Sequence, residues 1–594
     1  MGIIRETSHD STFRVWAPHA DHVFITGTFN QWSLYRTPLA AENNGYWSVD
    51  VPHVKTDDEY KFVIRRDGQT LVRTDPYARD VKPGFQNGVV VNGEYGRMHD
   101  SFQMPPINEL VVYELHVGTF AAADGNPPGN FEGVIEKLPY LRQLGINVIE
   151  LMPVSAFPGD FSWGYNPSHP FAISRVYGGY TGLQRLTHAA HQYGIGVIVD
   201  VVYNHFGPQE LSLWQFDGWQ ESGKGGIYFY NDWRSKTPWA DTRPDYGRFE
   251  VRQFIRDNVM MWYEVFGVDG LRWDATSYIR NAHGHDGDAG ADIPEGWGMM
   301  AAINDEVNGR FPKKLHIAED LQGNAWITKP TFEGGAGFHS QWDTNFVHPI
   351  RHAIITPHDE DRDMNAIRDA ILFQYNGSPF DRIIYTESHD EVANGKARVP
   401  EEIAPDDQEN WFARKRATLG AGLVFTAPGV PMIFQGQEFL EVGWFDDHKA
   451  LDWQKVDTNH EILQLFQDLI RLRRNLGGQT KGLVGLHVHV HCVDNGRKLI
   501  AFHRWDQGGP GDDVIVVANF SHIAIANAQI GFPHAGEWHL RFDSNAVAYG
   551  INEESFSQKV ILAIEEGAQG MDNQAVMQIA PYSLLIYSQE SNMP

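Results

Sequence analysis

The stretch "GVDGLRWDAT", residues 267–276, follows a run of helical pattern, "FEVRQFIRDNVMMWYEVFG" (249–267). "VDGLRW" reads as a short strand whose apolar residues are Val268, Leu271 and Trp273. At its far end stand Arg272 and Asp274, two residues apart and so on one side of the strand. Opposite charges there need a reason, because a buried charge is costly unless it is paired.

The same strand–helix unit recurs on both sides. Strand patterns occur at "LVVYELHV" (110–117), "INVIELMPV" (146–154), "GVIVDVVYNH" (196–205), "VDGLRWDA" (268–275), "KLHIAED" (314–320), "SQWDTNF" (340–346), "RIIYTESHD" (382–390) and "VPMIFQGQE" (430–438). Helical patterns such as "FEGVIEKLPYLRQLG" and "TGLQRLTHAAHQYG" lie between them. Near-continuous apolar strands separated by helices predict a parallel sheet, and eight of them predict a (β/α)8 barrel. The barrel is expected over residues 105–478, with an insertion at about 206–248 where the alternation breaks down. Residues 1–98 carry alternating segments ("FRVWAPHADHVFITGTFN", "YWSVDVPHV", "YKFVIRRDG") and predict an N-terminal β-sandwich; residues 479–594 ("KLIAFHRW", "DVIVVANF", "EWHLRF", "KVILAI", "YSLLIYS") predict a C-terminal one. The expected class is therefore α/β, a barrel between two β-sandwich domains.

Composition narrows the function. The 594 residues carry a net charge of −28, which leaves no basic stripe for nucleic acid and suits a neutral substrate. A single cysteine, Cys492, allows no intramolecular disulfide and no cysteine-based zinc site. The segment "MGIIRETSHDSTF" lacks the apolar core of a signal peptide, and no apolar run approaches the length of a membrane span; a cytoplasmic protein is expected.

In a (β/α)8 barrel the reactive groups sit at the C-terminal strand ends. Here strand three ends in Asp200, Asn204 and His205, and strand four in Arg272 and Asp274. Strand five ends in Glu319 and Asp320, and strand seven in Glu387, His389, Asp390 and Glu391. One such charge could be a salt bridge or a helix cap; the whole set at one rim is hard to explain as structure alone. There is no glycine–lysine phosphate loop and no thiol in the barrel. Chemistry needing several carboxylates and little else is glycoside chemistry, in which a carboxylate and a carboxylic acid flank an acetal. On this reading Asp274 is the nucleophile, kept ionised by Arg272, and Glu319 is the acid that protonates the leaving oxygen, its pKa raised by its surroundings. Asp390 holds sugar hydroxyls and stabilises positive charge at the transition state, and His205 and His389 donate hydrogen bonds to the reacting sugar.

Taken in order, "DVVYNH", "GVDGLRWDA", "IAED" and "TESHDE" resemble the four signature regions of the α-amylase superfamily of glycoside hydrolases and transglycosidases. The resemblance implies a retaining mechanism through a covalent glycosyl-enzyme, with Asp274, Glu319 and Asp390 in the roles just given. It also implies that Asp200 and the tyrosine of "WGYNPSH", Tyr165, support or stack on the same sugar. "VWAPHADHVFITGTFNQW" is similar to the β-sandwich that precedes the barrel in branching enzymes, debranching enzymes and maltooligosyltrehalose trehalohydrolases; its Trp16 and Trp32 are either a sugar platform or core. "FNQW", "YGGYTG", "WGYNPSHPFA" and "FQGQEFLEVGWFDDHKALDW" resemble branching enzymes. "VVYELHVGTF", "IEKLPYLRQLGINVIELMPV" and "DVVYNHFGP" resemble the trehalohydrolases as well, while Glu387 and Glu391 in "TESHDE" depart from the trehalohydrolase pattern. Trp273 departs from the usual bacterial branching-enzyme signature. The expected activity is 1,4-α-glucan branching on amylose, glycogen or a maltooligosaccharide, with trehalohydrolase or α-amylase-type hydrolysis as the alternatives. A non-catalytic glucan-binding protein would have lost a catalytic carboxylate, and all three are present. The mechanism requires no metal or other cofactor; Asn204 and nearby carboxylates are the weak candidates for a Ca²⁺ site of the kind many α-amylases carry.

Overall fold

The structure, a computed structural model, describes residues 4–5, 10–84, 86–91, 101–552 and 557–591. Eight strands close into one barrel in chain order. They are β1 (Val112–Leu115), β2 (Val148–Leu151), β3 (Gly196–Val201), β4 (Gly270–Trp273), β5 (Leu315–Ala318), β6 (Ser340–Trp342), β7 (Arg382–Ile384) and β8 (Val430–Phe434). Every residue in them is buried, as a sheet covered on both faces requires. Each strand is shorter than its apolar pattern in the sequence. The remainder of each pattern continues past the strand as the loop that carries polar groups.

Two strand registers align the charged groups. The parallel pair β3–β4 sets Asp200 opposite Arg272, and β4–β5 sets Arg272 opposite Ile317. Asp274 and Glu319 each lie two residues further on, so the alternation of side chains points both the same way.

The chain divides into two compact units: residues 1–104, 116–138 and 150–339, and residues 105–115, 139–149 and 340–594. The first holds the N-terminal strands, in sheets built on the pairs of Asp10–Trp16 with Tyr46–Pro52 and of His22–Gly27 with Glu59–Arg66. The expected boundary near residue 98 lies outside the described residues. In this module Trp16 is buried, its ring edge-on to Tyr228 at 5.5 Å, which is a core position; Trp32 is 38% exposed. The first unit also holds β3 to β5 and the helices Gly179–Gln192, Phe249–Glu264 and Pro294–Arg310. Residues 206–248 form a long loop with only two short 3-10 turns, Gly226–Tyr228 and Trp233–Ser235.

The second unit holds β1, β6, β7, β8, the helices Thr344–Ile355, Trp411–Thr426 and His460–Arg473, and the C-terminal strands. A six-stranded sheet there packs on the pair Ile525–Phe532 and Asn573–Ile579 around Phe532, Trp538, Ile515, Val517 and Met577. Three of these strands lie outside the segments picked from the sequence: His487–Asp494, Ile525–Phe532 and Asn573–Ile579. Their sequences, "HVHVHCVD", "IANAQIGF" and "NQAVMQI", are rich in His, Ala, Asn and Gln, which carry little strand preference; cross-strand pairing supplies it instead. Among the described residues no helix is long and apolar enough to cross a membrane.

Candidate active site

Six of the residues singled out in the sequence meet at the ends of β3, β4 and β5. Arg272 is fully buried and touches three carboxylates. Its Nη1 donates to Asp200 Oδ2 at 2.6 Å and to Asp274 Oδ1 at 3.0 Å, and Nη2 lies 3.1 Å from Glu319 Oε2. The arginine is thus shared, with its shortest contact to Asp200. Burial opposes its charge, but Asp200 and Glu319 outweigh that and hold its pKa well above the ordinary value.

Each carboxylate has further support. Asn204 Nδ2 donates to Asp274 Oδ2 (2.7 Å) and to the Asp274 carbonyl (2.8 Å). The backbone N–H of Ala275 donates to Glu319 Oε2 at 2.7 Å. Ala275 is in the left-handed region (φ 39°), unusual for a residue with a side chain; the turn accepts this strain next to Asp274 and Glu319. Tyr165 donates to Asp200 Oδ2 at 2.5 Å. Asp200 Oδ1 is buried with no hydrogen-bond partner among the described residues, so it can accept from a substrate hydroxyl. Burial pushes the Asp200 carboxyl up to about 7, against the pull of Arg272. The side chains of Asp274 and Glu319 remain 10% and 13% exposed, enough to be reached from the rim.

His205 stands beside Asn204, with Nδ1 against the amide Oδ1. Burial lowers its pKa to about 4, so the ring is neutral. Asp320, adjacent to Glu319, has a structural place: Arg280 donates to it twice, at 2.7 and 2.8 Å, and Thr276 once, at 3.2 Å, which anchors the turn after β4.

His389 and Asp390 belong to the second unit, in the loop after β7. Glu114 of β1 takes both the His389 ring Nδ1 (2.5 Å) and its backbone N–H (3.0 Å). Asp390 accepts from Asn394 at 2.8 Å. The two glutamates of the same motif are held in ion pairs: Glu387 by Arg398 (3.0 Å) and Glu391 by Lys396 (3.0 Å).

The amide of Asn204 is fully buried, with its nitrogen on Asp274 and its oxygen against His205. Among the described residues the only close grouping of three potential metal ligands is Asp446, Asp447 and His448, in the loop after β8. Sequence reasoning missed Asn204 as the residue holding Asp274, and missed Glu114 altogether. Asn204 stood in the quoted "DVVYNH" and was weighed only as a calcium ligand; Glu114 sits inside an apolar strand pattern, where one acid looks incidental.

A closed eight-stranded barrel with an arginine gathering carboxylates at its strand ends defines a member of the α-amylase family, and the chain belongs to that family: the sequence model described as "Alpha amylase, catalytic domain" matches residues 115–474. "Carbohydrate-binding module 48 (Isoamylase N-terminal domain)" matches 1–78 and "Alpha amylase, C-terminal all-beta domain" matches 489–590. Among curated relatives, the chain is similar to the 1,4-alpha-glucan branching enzyme GlgB of Marinobacter nauticus, 29% identical over 576 residues that cover 91% of this chain and 87% of that protein. It is likewise similar to GlgB of Methylobacillus flagellatus, 30% identical over 577 residues covering 91% and 76%. Among solved structures, a putative alpha amylase from Salmonella typhimurium shares the fold with a TM-score of 0.73 at 21% identity, covering 99% of both chains. A pullulanase complexed with maltotetraose, from Anoxybacillus sp., shares it with a TM-score of 0.75 at 21% identity, covering 99% of this chain and 87% of that one. The family and the relatives make this chain a glucan-active enzyme.

Proposed function

We propose that the protein is a 1,4-α-glucan branching enzyme acting through a covalent glycosyl-aspartate. The carrying observation is the single guanidinium of Arg272 set against Asp274, Glu319 and Asp200. One arginine touching both Asp274 and Glu319 sets the two carboxyl groups facing one another across a single cation, as a pair flanking one acetal requires. The similarity to GlgB proteins along nine-tenths of the chain supports branching as the outcome.

In this reading an Asp274 oxygen attacks the anomeric carbon of an α-1,4-linked glucosyl unit. Arg272 and Asn204 hold that carboxylate in place. Glu319 passes its proton to the departing glycosidic oxygen, so the shortened glucan leaves with a free 4-hydroxyl. The 6-hydroxyl of an acceptor glucan then gives its proton to Glu319 and attacks the same carbon, and the bond to Asp274 breaks. Asp200, with its free buried oxygen, and Tyr165 hold the reacting sugar; His205 and His389 contact its hydroxyls. Asp390 stabilises positive charge at the oxocarbenium-like transition state. None of these steps is routed through a metal ion. The substrate is a neutral α-1,4-glucan, and no nucleic acid or membrane partner is needed.

The test is to treat amylose with the protein and follow iodine colour, reducing ends and α-1,6 linkages by proton NMR. Transfer conserves the number of glycosidic bonds, so colour falls and α-1,6 signals appear while reducing ends barely rise. Reducing ends rising in step with colour loss make the protein a hydrolase. Faster release of trehalose from a maltooligosyltrehalose than any reaction on amylose makes it a trehalohydrolase.

A further inference from the structure

We propose that the long loop 206–248 holds a small monovalent anion of the halide type between Arg243, Tyr230 and Ser235, and that this ion braces the loop beside His205.

The chain carries 76 Asp and Glu against 48 Lys and Arg, so acidic partners are plentiful. Arg243 nevertheless has none among the described residues. Its side chain is fully buried, and its Nη2 donates to the carbonyls of Lys236 and Ala282, both at 2.8 Å. Nε and Nη1 are buried with no hydrogen-bond partner among the described residues. Burial lowers the pKa of the guanidinium from its ordinary value, and the ionisable groups that bear on it are Tyr246, Tyr230 and Tyr278, with no carboxylate among them. A buried cation without a counter-charge is expensive, and arginine does not escape the cost by losing its proton.

Two further donors stand beside it. The Tyr230 hydroxyl and Ser235 Oγ are also buried and without a partner among the described residues. Tyr230 N–H donates to the Arg243 carbonyl at 3.2 Å, and Arg243 N–H donates to the Ser235 carbonyl at 3.1 Å. Phe229 bridges antiparallel to Pro244, so Tyr230 and Arg243 stand opposite one another across two adjacent chain segments. The Arg234 guanidinium, 4.3 Å over the Tyr230 ring, adds positive charge. Asp245 and Glu295 bear on Tyr230 by charge, but neither bonds its hydroxyl, and Asp245 is taken by Arg248 at 3.0 Å. A water filling this place needs acceptors for its own hydrogens, which a guanidinium cannot supply. One anion accepts from every donor and cancels the charge. All three side chains are closed off from solvent, so the ion is a halide rather than a phosphate or a piece of substrate.

The same residues tie the loop down. Phe206 N–H donates to the Thr242 carbonyl at 3.3 Å, which sets Arg243 next to the chain leaving His205. Trp239, in the same loop, stacks on His205 with ring centroids 4.7 Å apart. The bond from Arg243 to Ala282 fastens the loop to the segment after β4.

The experiment uses the full chain and does not depend on which reaction it catalyses. Crystals grown in sodium bromide are expected to show an anomalous peak in contact with Arg243 Nε and Nη1. At fixed ionic strength, replacing gluconate by chloride is expected to raise the Tm saturably, by about 2 °C or more. Arg243→Gln is expected to abolish that rise. Tyr230→Phe is expected to raise the half-saturating chloride concentration about tenfold and to be less stable than wild type in chloride, with the difference gone in gluconate. Water alone at the site, or a Tm indifferent to the anion, overturns the proposal. So does a Tyr230→Phe protein more stable than wild type in chloride, because it would have shed a hydroxyl that had no partner. If Arg243→Gln does not fold, the bromide map and Tyr230→Phe decide.

Discussion

Asp274 is held from two sides, by Arg272 at 3.0 Å and Asn204 at 2.7 Å. Changing its charge while keeping its shape should therefore cost chemistry much more than fold. We expect Asp274→Asn to lose activity by about 10⁴-fold or more, as for removal of a covalent nucleophile, with a Tm within a few degrees of wild type; activity assays and thermal melts check both halves. A second expectation concerns Asp200, whose carboxyl burial raises from an ordinary 3.8 to about 7. Between those values the folded protein keeps a proton that the unfolded chain has released. This group's contribution is thus present at low pH and lost as pH rises through about 7. Asp200→Asn has no such proton. The Tm of wild type relative to Asp200→Asn should be higher at pH 5 than at pH 8; a constant difference would contradict the assigned shift. The charged residues themselves were legible in the sequence. Their sharing was not: Arg272 stands two residues from Asp274 along the chain, yet its shortest contact, with Asp200, arises only when β3 and β4 pair.

At the level of elements, the polar groups come both from inside the barrel strands, as with Asp200 in β3 and Arg272 in β4, and from the loops that follow them, as with Asp274, Glu319 and His389. Glu114, an acid inside β1, bonds both the ring and the backbone of His389 in the loop after β7. Charge-assisted bonds of this kind contribute about 1.5–3 kcal/mol each way. Glu114→Gln should accordingly lower kcat about ten- to a hundredfold while the protein still folds, and the loss should be as large on a fluoride donor as on amylose, because in the proposed mechanism His389 contacts the reacting sugar in both. The eight barrel strands could be read from apolar runs because a sheet covered on both faces must be apolar on both. The strand Asn573–Ile579 could not, because its largely polar and small side chains gain strand structure from the neighbour they pair with.

For the whole molecule, the commitment of the Asn204 amide to Asp274 and His205 bears on metal dependence. Dialysis against EDTA should leave transfer activity within about twofold, and added Ca²⁺ should not raise it; a loss restored by Ca²⁺ would mean that another group supplies a site. By itself the sequence determined the class of fold, since eight apolar strands alternating with helices have few other ways to bury both faces of the sheet. It also determined the chemical type, because carboxylates, imidazoles and one arginine recur at those strand ends in the order of the α-amylase signatures. Only the tertiary structure decided which charges share a partner. Asp320, Glu387 and Glu391 look like Asp274 and Glu319 in the sequence, but they end in ion pairs with Arg280, Arg398 and Lys396, whereas Asp274 and Glu319 share Arg272 with Asp200. Tertiary structure also brought Trp239 from an unpatterned loop onto His205 and Tyr278. The physical reason is the same in both cases. Periodicity along the chain records which faces are dry, whereas the partner of a buried charge or ring comes from distant chain and is set by strand register and loop closure, which leave no local pattern.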